Sequence, residues 1–276
     1  MLTPRKYQVN PIEKAIQWMR KNTEGCVLDL SMSSGKASIA ALIAHEMHRI
    51  SGGKKVLVLC PSANLVQQNS DTYAKISDEY SIYSASISKS LRHSIVFATP
   101  QSFVNIVDNT NGEFCCVIVD ECDQTTETVK TIISKLKEKN PLLRLCGMTG
   151  TPYRTGEGYI AEIDVDNSII EDANNPYYKK IVARITPREL IELGFATPPK
   201  VINVSEKYDT SNLELTAGGT FRQEDIDQAF VGQGRKTAAV IEDVINHSNA
   251  IGARGVMIFG ATINHCREIM DSLPNY

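Results

Sequence analysis

The sequence lacks any apolar run close to the ~20 residues that a membrane-spanning helix needs. Its first residues, MLTPRKYQVNP, contain no apolar segment of the kind found in a secretory signal. The seven cysteines form no C-x-x-C pair, which argues against a zinc site. Most of them lie in apolar stretches, where cysteine behaves as a small hydrophobe. We therefore expect a protein of the reducing cytoplasm with no membrane partner.

An excess of charge of either sign is also missing. The 276 residues include 29 Lys and Arg and 32 Asp and Glu, and 42% of the residues are hydrophobic. This composition excludes a disordered or collagen-like chain, and the length corresponds to about two domains of ~150 residues. A surface that binds phosphate groups must then be a local patch rather than a basic face of the whole chain.

Five short apolar runs alternate with longer amphipathic stretches. The runs lie at 26–30, 55–60, 94–98, 114–120 and 143–148, and helices are predicted at 11–21, 36–50, 63–76 and 125–139. Continuous apolar runs are typical of strands that are buried on both faces. Their alternation with helices predicts an α/β fold, a doubly wound parallel sheet with helices on both faces.

The pattern is looser after residue 160. We predict loops over 164–176 and 209–219, helices over 186–194 and 236–248, and a strand over 255–259. The first of these helices begins with a capping box formed by Thr186 and Glu189. The Thr197-Pro198-Pro199 segment interrupts the chain, and we place the domain boundary there. One domain then covers 1–199, and a linker with the beginning of a second, incomplete domain covers 200–276.

The segment after the first predicted strand has the features of a phosphate-binding loop. The loop and first helical turn consist of Ser33, Ser34, Gly35, Lys36, Ala37 and Ser38. Backbone N–H groups and the helix N-terminus would hold phosphate, and Lys36 would reach the β- and γ-phosphates. Ala37 stands where a hydroxyl residue usually ligates Mg²⁺, and Ser38 lies about 100° further round the helix. The alternative is an ordinary strand–turn–helix with an exposed lysine.

A pair of acidic residues follows the predicted strand at 114–120. Asp120 and Glu121 lie at its carboxyl end, the edge where α/β sheets place ligands. Asp120 would hold Mg²⁺ through water, and Glu121 would position and deprotonate an attacking water. The alternative is a polar strand end before a turn, but a phosphate loop in the same sheet favours the functional interpretation.

Three segments together resemble motifs I, II and III of superfamily 2 helicases. They are Gly35-Lys36, Asp120-Glu121-Cys122-Asp123 and Thr149-Gly150-Thr151-Pro152-Tyr153-Arg154. The last segment, followed by Gly158-Tyr159-Ile160, is similar to the DNA-repair helicase group that includes RadD. The resemblance implies a RecA-like lobe followed by a partial second RecA-like lobe. It further implies an ATP-dependent DNA helicase or translocase of DNA repair or recombination, with ATP and Mg²⁺ as cofactors.

The resemblance also assigns residues around the nucleotide and the nucleic acid. Gln8 would read the adenine edge, and Arg5 or Tyr7 would help to enclose the base. The residues that would contact the nucleic-acid backbone follow predicted strands and are Pro61, Ser62, Thr99 and Gln101. Helix capping by the two hydroxyl residues is the alternative. The residues that would couple the two sites are Thr149, Thr151 and Arg154. DNA is favoured over RNA, and protein partners stay open.

Several departures from the helicase pattern support a second hypothesis. Ala37 removes a Mg²⁺ ligand, and Ser33 and Ser34 stand where glycine is common. Asp123 replaces the histidine that is usual in the repair group, and few residues follow the predicted strand at 255–259. The alternative function is therefore a catalytically weakened helicase-like module that binds nucleic acid or protein without motor activity.

Overall fold

The computed structural model describes residues 2–154, 156–199, 206–214, 216 and 221–273. Contacts within the chain divide it into two units, Met1–Pro198 and Pro199–Tyr276. The domain boundary was predicted between residues 199 and 200, and Lys200 lies outside the described residues. Part of the predicted loop over 209–219 also lies outside them. Among the described residues, no helix combines the length and the apolar character that crossing a membrane requires.

The first unit is built around a mostly parallel sheet. Its strands are β1 (Cys26–Leu30), β2 (Lys55–Leu59), β3 (Tyr80–Ser84), β4 (Ser88–Lys89), β5 (Ile95–Ala98), β6 (Phe114–Asp120), β7 (Arg144–Thr149), β8 (Tyr153–Arg154), β9 (Gly158–Tyr159), β10 (Ala161–Ile163) and β11 (Tyr178–Ile185). Nine of them form one sheet in the order β10-β11-β1-β7-β6-β2-β5-β3-β4, and β8 pairs with β9. Only the β3–β4 pair of the large sheet is antiparallel. The predicted α/β RecA-like fold is confirmed for this unit.

Helices cover both faces of the sheet. They are α1 (Lys6–Lys21), α2 (Lys36–Ile50), α3 (Ala63–Tyr73), α4 (Pro100–Phe103), α5 (Glu127–Lys139) and α6 (Pro187–Glu192). One apolar core joins the sheet to α1, α2 and α3, and a second core on the opposite face includes residues of α4 and α5. The capping box predicted for α6 is present, with the Glu189 N–H donated to Thr186 Oγ1 over 3.2 Å.

The strand order brings five loops to one edge of the sheet. The strands β1, β7, β6, β2 and β5 are consecutive neighbours and parallel, so their carboxyl ends lie side by side. The phosphate loop follows β1, the acidic pair ends β6 and begins the turn after it, and Thr149 ends β7. Because this edge collects the ends of parallel strands, the predicted motifs share one face of the domain.

The described residues of the second unit form helices and no strand. The helices are α7 (Gln223–Phe230), α8 (Gly234–Ala250) and α9 (Ile263–Asp271), so the helix predicted over 236–248 is confirmed. The strand predicted over 255–259 is wrong. A strand needs a hydrogen-bonded neighbour, and the described residues of this unit offer none. The side chains of Met257 and Phe259 are accordingly 78% and 85% exposed.

Candidate active site

The loop between β1 and α2 has the curved backbone that surrounds phosphate groups in other proteins. Ser33 and Gly35 both have positive φ angles, 66° and 79°. The N–H groups of Ser38 and Ile39 donate to the Gly35 carbonyl and begin α2. The hydroxyl oxygens of Ser31 and Ser34 are buried and have no hydrogen-bond partner. A phosphate ligand would supply acceptors for such hydroxyl groups.

Replacing Ser33 by glycine is expected to stabilise the protein. A non-glycine residue in the left-handed region costs about 1–2 kcal/mol, and glycine loses part of that gain to its larger unfolded-state entropy. We expect a net gain of about 0.5–1 kcal/mol, seen as a rise in melting temperature of about 1–4 °C. Ser33→Ala removes the hydroxyl but keeps the strained φ, so its melting temperature should not rise. An equal rise in both variants would contradict the explanation.

Gln8 connects the first helix to the phosphate loop. Its side-chain Nε2 donates to the Ser34 carbonyl over 2.8 Å, and its Oε1 accepts the Arg5 N–H over 2.9 Å. A Cβ atom at Gly35 would lie 2.5 Å from Gln8 Nε2, so a larger residue there would displace the Gln8 amide from this position. The glutamine thus fixes the loop from behind, and both ends of its amide are already bonded to backbone.

An aromatic side chain that the sequence analysis missed lies beside the first helix. Phe195 follows α6, and its ring centroid is 4.9 Å from that of Tyr7. The Arg5 guanidinium lies 4.7 Å from the same centroid and donates to the Tyr7 hydroxyl over 3.1 Å. Phe195 is partly exposed. Arg5 and Tyr7, which were predicted to enclose adenine, therefore form one cluster with the ring of Phe195.

The lysine of the loop and the second acidic residue are in direct contact. Lys36 Nζ lies 2.5 Å from Glu121 Oε1, although the two residues are 85 positions apart. Glu121 has a φ of 51°, in the left-handed region, where the chain leaves β6. The structure therefore brings together the residues predicted to bind phosphate and to activate water, in the form of an ion pair.

Asp120 is the most buried charged group at this edge. The residue is 6% exposed, and its Oδ2 accepts a hydrogen bond from Asn69 Nδ2 over 3.1 Å. Its Oδ1 has no partner. Burial, with the neighbouring Glu121 charge as the second cause, raises the pKa of the Asp120 carboxyl. Asn69, in α3, is a site residue that the sequence analysis missed; a polar side chain at a buried helix position beside Val66 and Tyr73 was the available signal.

The donor set fits a magnesium ion that is bound mainly through water and phosphate. Within the described ranges, no group of three or more His, Cys, Asp or Glu side chains could hold a metal by itself. Mg²⁺ usually keeps several waters and takes one or two carboxylates together with substrate phosphates. A single buried carboxylate with a free oxygen next to a phosphate loop meets that requirement.

The residues predicted to couple the two sites are tied to the acidic motif. Thr149 is fully buried, and its hydroxyl donates to Asp123 Oδ1 over 2.6 Å. The Thr149 Oγ1 accepts the Thr151 N–H over 3.0 Å, and Arg154 Nε donates to the Asp123 carbonyl. A Cβ atom at Gly150 would lie 3.1 Å from the Leu30 carbonyl. The end of β7 thus contacts both the acidic turn and the phosphate loop.

The four residues predicted to contact nucleic acid differ in accessibility. Pro61, Ser62 and Gln101 are exposed, whereas Thr99 is buried and its hydroxyl donates to Ser102 Oγ over 2.9 Å. Ser62 Oγ accepts the Leu65 N–H over 3.3 Å and caps α3, as the alternative interpretation expects. Exposed groups at the carboxyl ends of β2 and β5 are therefore Pro61, Ser62 and Gln101.

A known protein family covers most of the first unit. Residues 1–154 match the family described as type III restriction enzyme, res subunit. No curated protein is significantly similar to the sequence. The structure of the Type ISP restriction-modification enzyme LlaGI in complex with a DNA substrate mimic is 19% identical with a TM-score of 0.50, over 69% of this chain and 18% of that one.

Two structures of the UvsW helicase from bacteriophage T4 are also similar. One is 22% identical with a TM-score of 0.46, over 54% of this chain and 53% of that chain. The other is 18% identical with a TM-score of 0.49, over 98% of this chain and 49% of that chain. This chain therefore spans about half the length of the UvsW chains that it matches.

Proposed function

Because the chain belongs to the family of the type III restriction enzyme res subunit and has a superfamily 2 helicase-type ATPase core, we propose that it is an ATP-dependent DNA translocase or helicase. It binds ATP with Mg²⁺ and couples hydrolysis to movement on the nucleic acid. The observation that carries this proposal is the 2.5 Å contact between Lys36 Nζ and Glu121 Oε1 at the phosphate loop. Lys36, which would bind phosphate, and Glu121, the candidate base, therefore lie together at one edge of the sheet.

Each charged residue of the site has a distinct task in this proposal. In the nucleotide-free state, Lys36 is held by Glu121. When ATP binds, Lys36 turns to the phosphates, and the freed Glu121 carboxylate accepts a proton from the attacking water. Asp120 would hold Mg²⁺, and the ion would supply positive charge that stabilises the phosphoryl oxygens. The nearby Ser34 hydroxyl and loop N–H groups bind phosphate oxygens.

The base and the nucleic acid occupy different parts of the same edge. Tyr7 and Arg5 enclose adenine, and Gln8 holds the phosphate loop through its hydrogen bond to the Ser34 carbonyl. DNA contacts the exposed groups of Ser62 and Gln101, beyond β2 and β5. The sequence resemblance to the RadD-like group supports DNA over RNA and a role in DNA repair or recombination. The seven cysteines, all free, suit a reducing cytoplasm.

Two features of the phosphate loop favour a second candidate function. Ala37 lacks the hydroxyl that normally ligates the metal, and Ser33 holds a strained backbone angle in the loop. A helicase-like module that binds DNA or protein without hydrolysing ATP would tolerate both features. This candidate predicts nucleic-acid binding that does not change when ATP is added.

The test is ATP hydrolysis by this chain with Mg²⁺, with and without single-stranded DNA, beside Lys36→Ala. We expect turnover that DNA stimulates, and we expect Lys36→Ala to lose at least about 10-fold in ATP affinity because a charge-assisted phosphate contact is worth roughly 1.5–3 kcal/mol. Lys135→Ala is the matched control, since Lys135 forms a similar pair with Asp108 over 2.6 Å on the surface. Unchanged ATP affinity in Lys36→Ala would exclude the site. DNA binding without turnover would support the second candidate.

A further inference from the structure

Two buried oxygen atoms beside the acidic motif have no hydrogen-bond donor. They are Asn69 Oδ1 and Asp120 Oδ1. Their side chains are joined by the hydrogen bond from Asn69 Nδ2 to Asp120 Oδ2, 3.1 Å long, so both free oxygens belong to one bonded pair. The residues are only 2% and 6% exposed, and an unsatisfied buried polar group costs about 1–3 kcal/mol. Such a pair of free acceptors can receive a cation or a hydrogen-bond donor.

The orientation of the Asn69 amide follows from its surroundings. Its Nδ2 faces the Leu65 carbonyl at 2.9 Å and Asp120 Oδ2 at 3.1 Å. Both neighbours are acceptors, so the reverse orientation would place oxygen against oxygen. The free Oδ1 is therefore a consequence of the packing. It lies on α3, the helix that follows the predicted nucleic-acid contacts Pro61 and Ser62.

The phosphate loop lacks the hydroxyl that usually ligates Mg²⁺, and Asn69 Oδ1 is a free oxygen that could act in its place. Ala37, in the first turn of α2, cannot supply the hydroxyl expected at its position. An amide oxygen is a hard ligand for Mg²⁺ and accepts hydrogen bonds from the waters bound to the ion. We propose that Asn69 is part of the magnesium site: its Nδ2 orients Asp120, and its Oδ1 holds the hydrated ion in place of the missing hydroxyl. This inference rests on the proposed nucleotide-binding function.

The test measures metal dependence and not turnover. A fluorescent ADP analogue is titrated onto the full chain at increasing Mg²⁺, and Mn²⁺ binding without nucleotide is followed by electron paramagnetic resonance. In Asn69→Leu, we expect the Mg²⁺ concentration at half-maximal binding to rise about 10-fold or more, as for other groups that orient metal ligands. Nucleotide binding in EDTA should stay at the wild-type level.

Two further variants separate a metal role from a structural role. Asn140→Leu is the matched control, because Asn140 Nδ2 donates to the Phe114 carbonyl over 2.8 Å at the opposite end of β6. It should lower the melting temperature without moving the Mg²⁺ midpoint. Asn69→Asp keeps an oxygen and adds a charge beside Asp120, so Mg²⁺ should raise its melting temperature more than that of the wild type.

The outcomes distinguish this inference from the function on which it rests. If the wild type binds nucleotide without any dependence on Mg²⁺, the metal-dependent step of the proposed function is excluded. The role of Asn69 at the metal is then excluded as well. If the wild type depends on Mg²⁺ and Asn69→Leu has the same midpoint, only the role of Asn69 is excluded. The role of Asn69 is also excluded if Mg²⁺ raises the melting temperature of Asn69→Asp only as much as that of the wild type.

Discussion

Glu121→Gln is expected to reduce DNA-stimulated ATP turnover by about 10²–10⁴-fold, the usual contribution of a positioned general base. The amide keeps the size of the side chain but cannot accept a proton from water. It also removes the negative charge that holds Lys36 Nζ at 2.5 Å. Because Lys36 no longer has to leave an ion pair, ATP affinity should be equal to or higher than that of the wild type.

The combination of lost turnover and retained affinity is what identifies Glu121 as the base. Steady-state hydrolysis gives turnover, and equilibrium binding of a fluorescent ATP analogue gives affinity. Glu162→Gln is the matched control, since Glu162 forms a Lys–Glu pair with Lys179 over 2.7 Å at the sheet edge. It should leave both quantities unchanged. Wild-type turnover in Glu121→Gln would assign the base to another group and leave the Lys36–Glu121 pair a structural contact.

The central strands could be predicted because the physical signal lies in the residues themselves. Strands β1 and β6 have the predicted bounds, and all seven residues of β6 are buried. A strand covered by helices on both faces needs apolar residues at every position, so the run alone identifies it. The start of α1 is different: the prediction began at Pro11, but the helix begins at Lys6 and receives its cap from Gln8.

The outer strands and the second unit depend on partners that a local pattern does not contain. Strand β11 includes lysine and arginine, and it was missed because Arg184 is neutralised by Asp29 and Asp164 from elsewhere in the chain. The run at 255–259 has the composition of a buried strand and forms none among the described residues. In both cases, pairing across the chain decides the outcome and not the residue types.

The motifs of the site could be located from sequence, but their contacts could not. The phosphate loop and the acidic pair were found because each follows an apolar strand. Asn69 reaches Asp120 across 51 positions, and Phe195 lies beside Tyr7 from far along the chain. Neither residue belongs to a recognisable spacing. Asn69 belongs to the site because the strand order sets α3 beside the end of β6. Phe195 belongs to it because its ring packs against Tyr7.

Asp120→Asn is expected to stabilise the nucleotide-free protein and to remove the effect of Mg²⁺ on nucleotide binding. The wild-type carboxyl group is buried, and its Oδ1 has no hydrogen-bond partner. The amide is neutral and is expected to keep the acceptor for Asn69 Nδ2. Burial disfavours the charged form of the carboxyl, so the neutral amide should raise the melting temperature by at least about 2 °C. Asp108→Asn, which removes an exposed partner of Lys135, should give no rise.

The pH dependence of that gain follows from the raised pKa of Asp120. The folded protein holds the carboxyl proton more tightly than the unfolded chain, so wild-type stability falls as pH rises from the unfolded pKa, ~3.9, through the higher folded pKa. The variant has no such loss. The difference in melting temperature between variant and wild type should therefore increase across this window and become constant above it. If the difference in melting temperature shrinks with rising pH, the folded state stabilises the Asp120 carboxylate. Its unpaired oxygen then does not destabilise the folded protein.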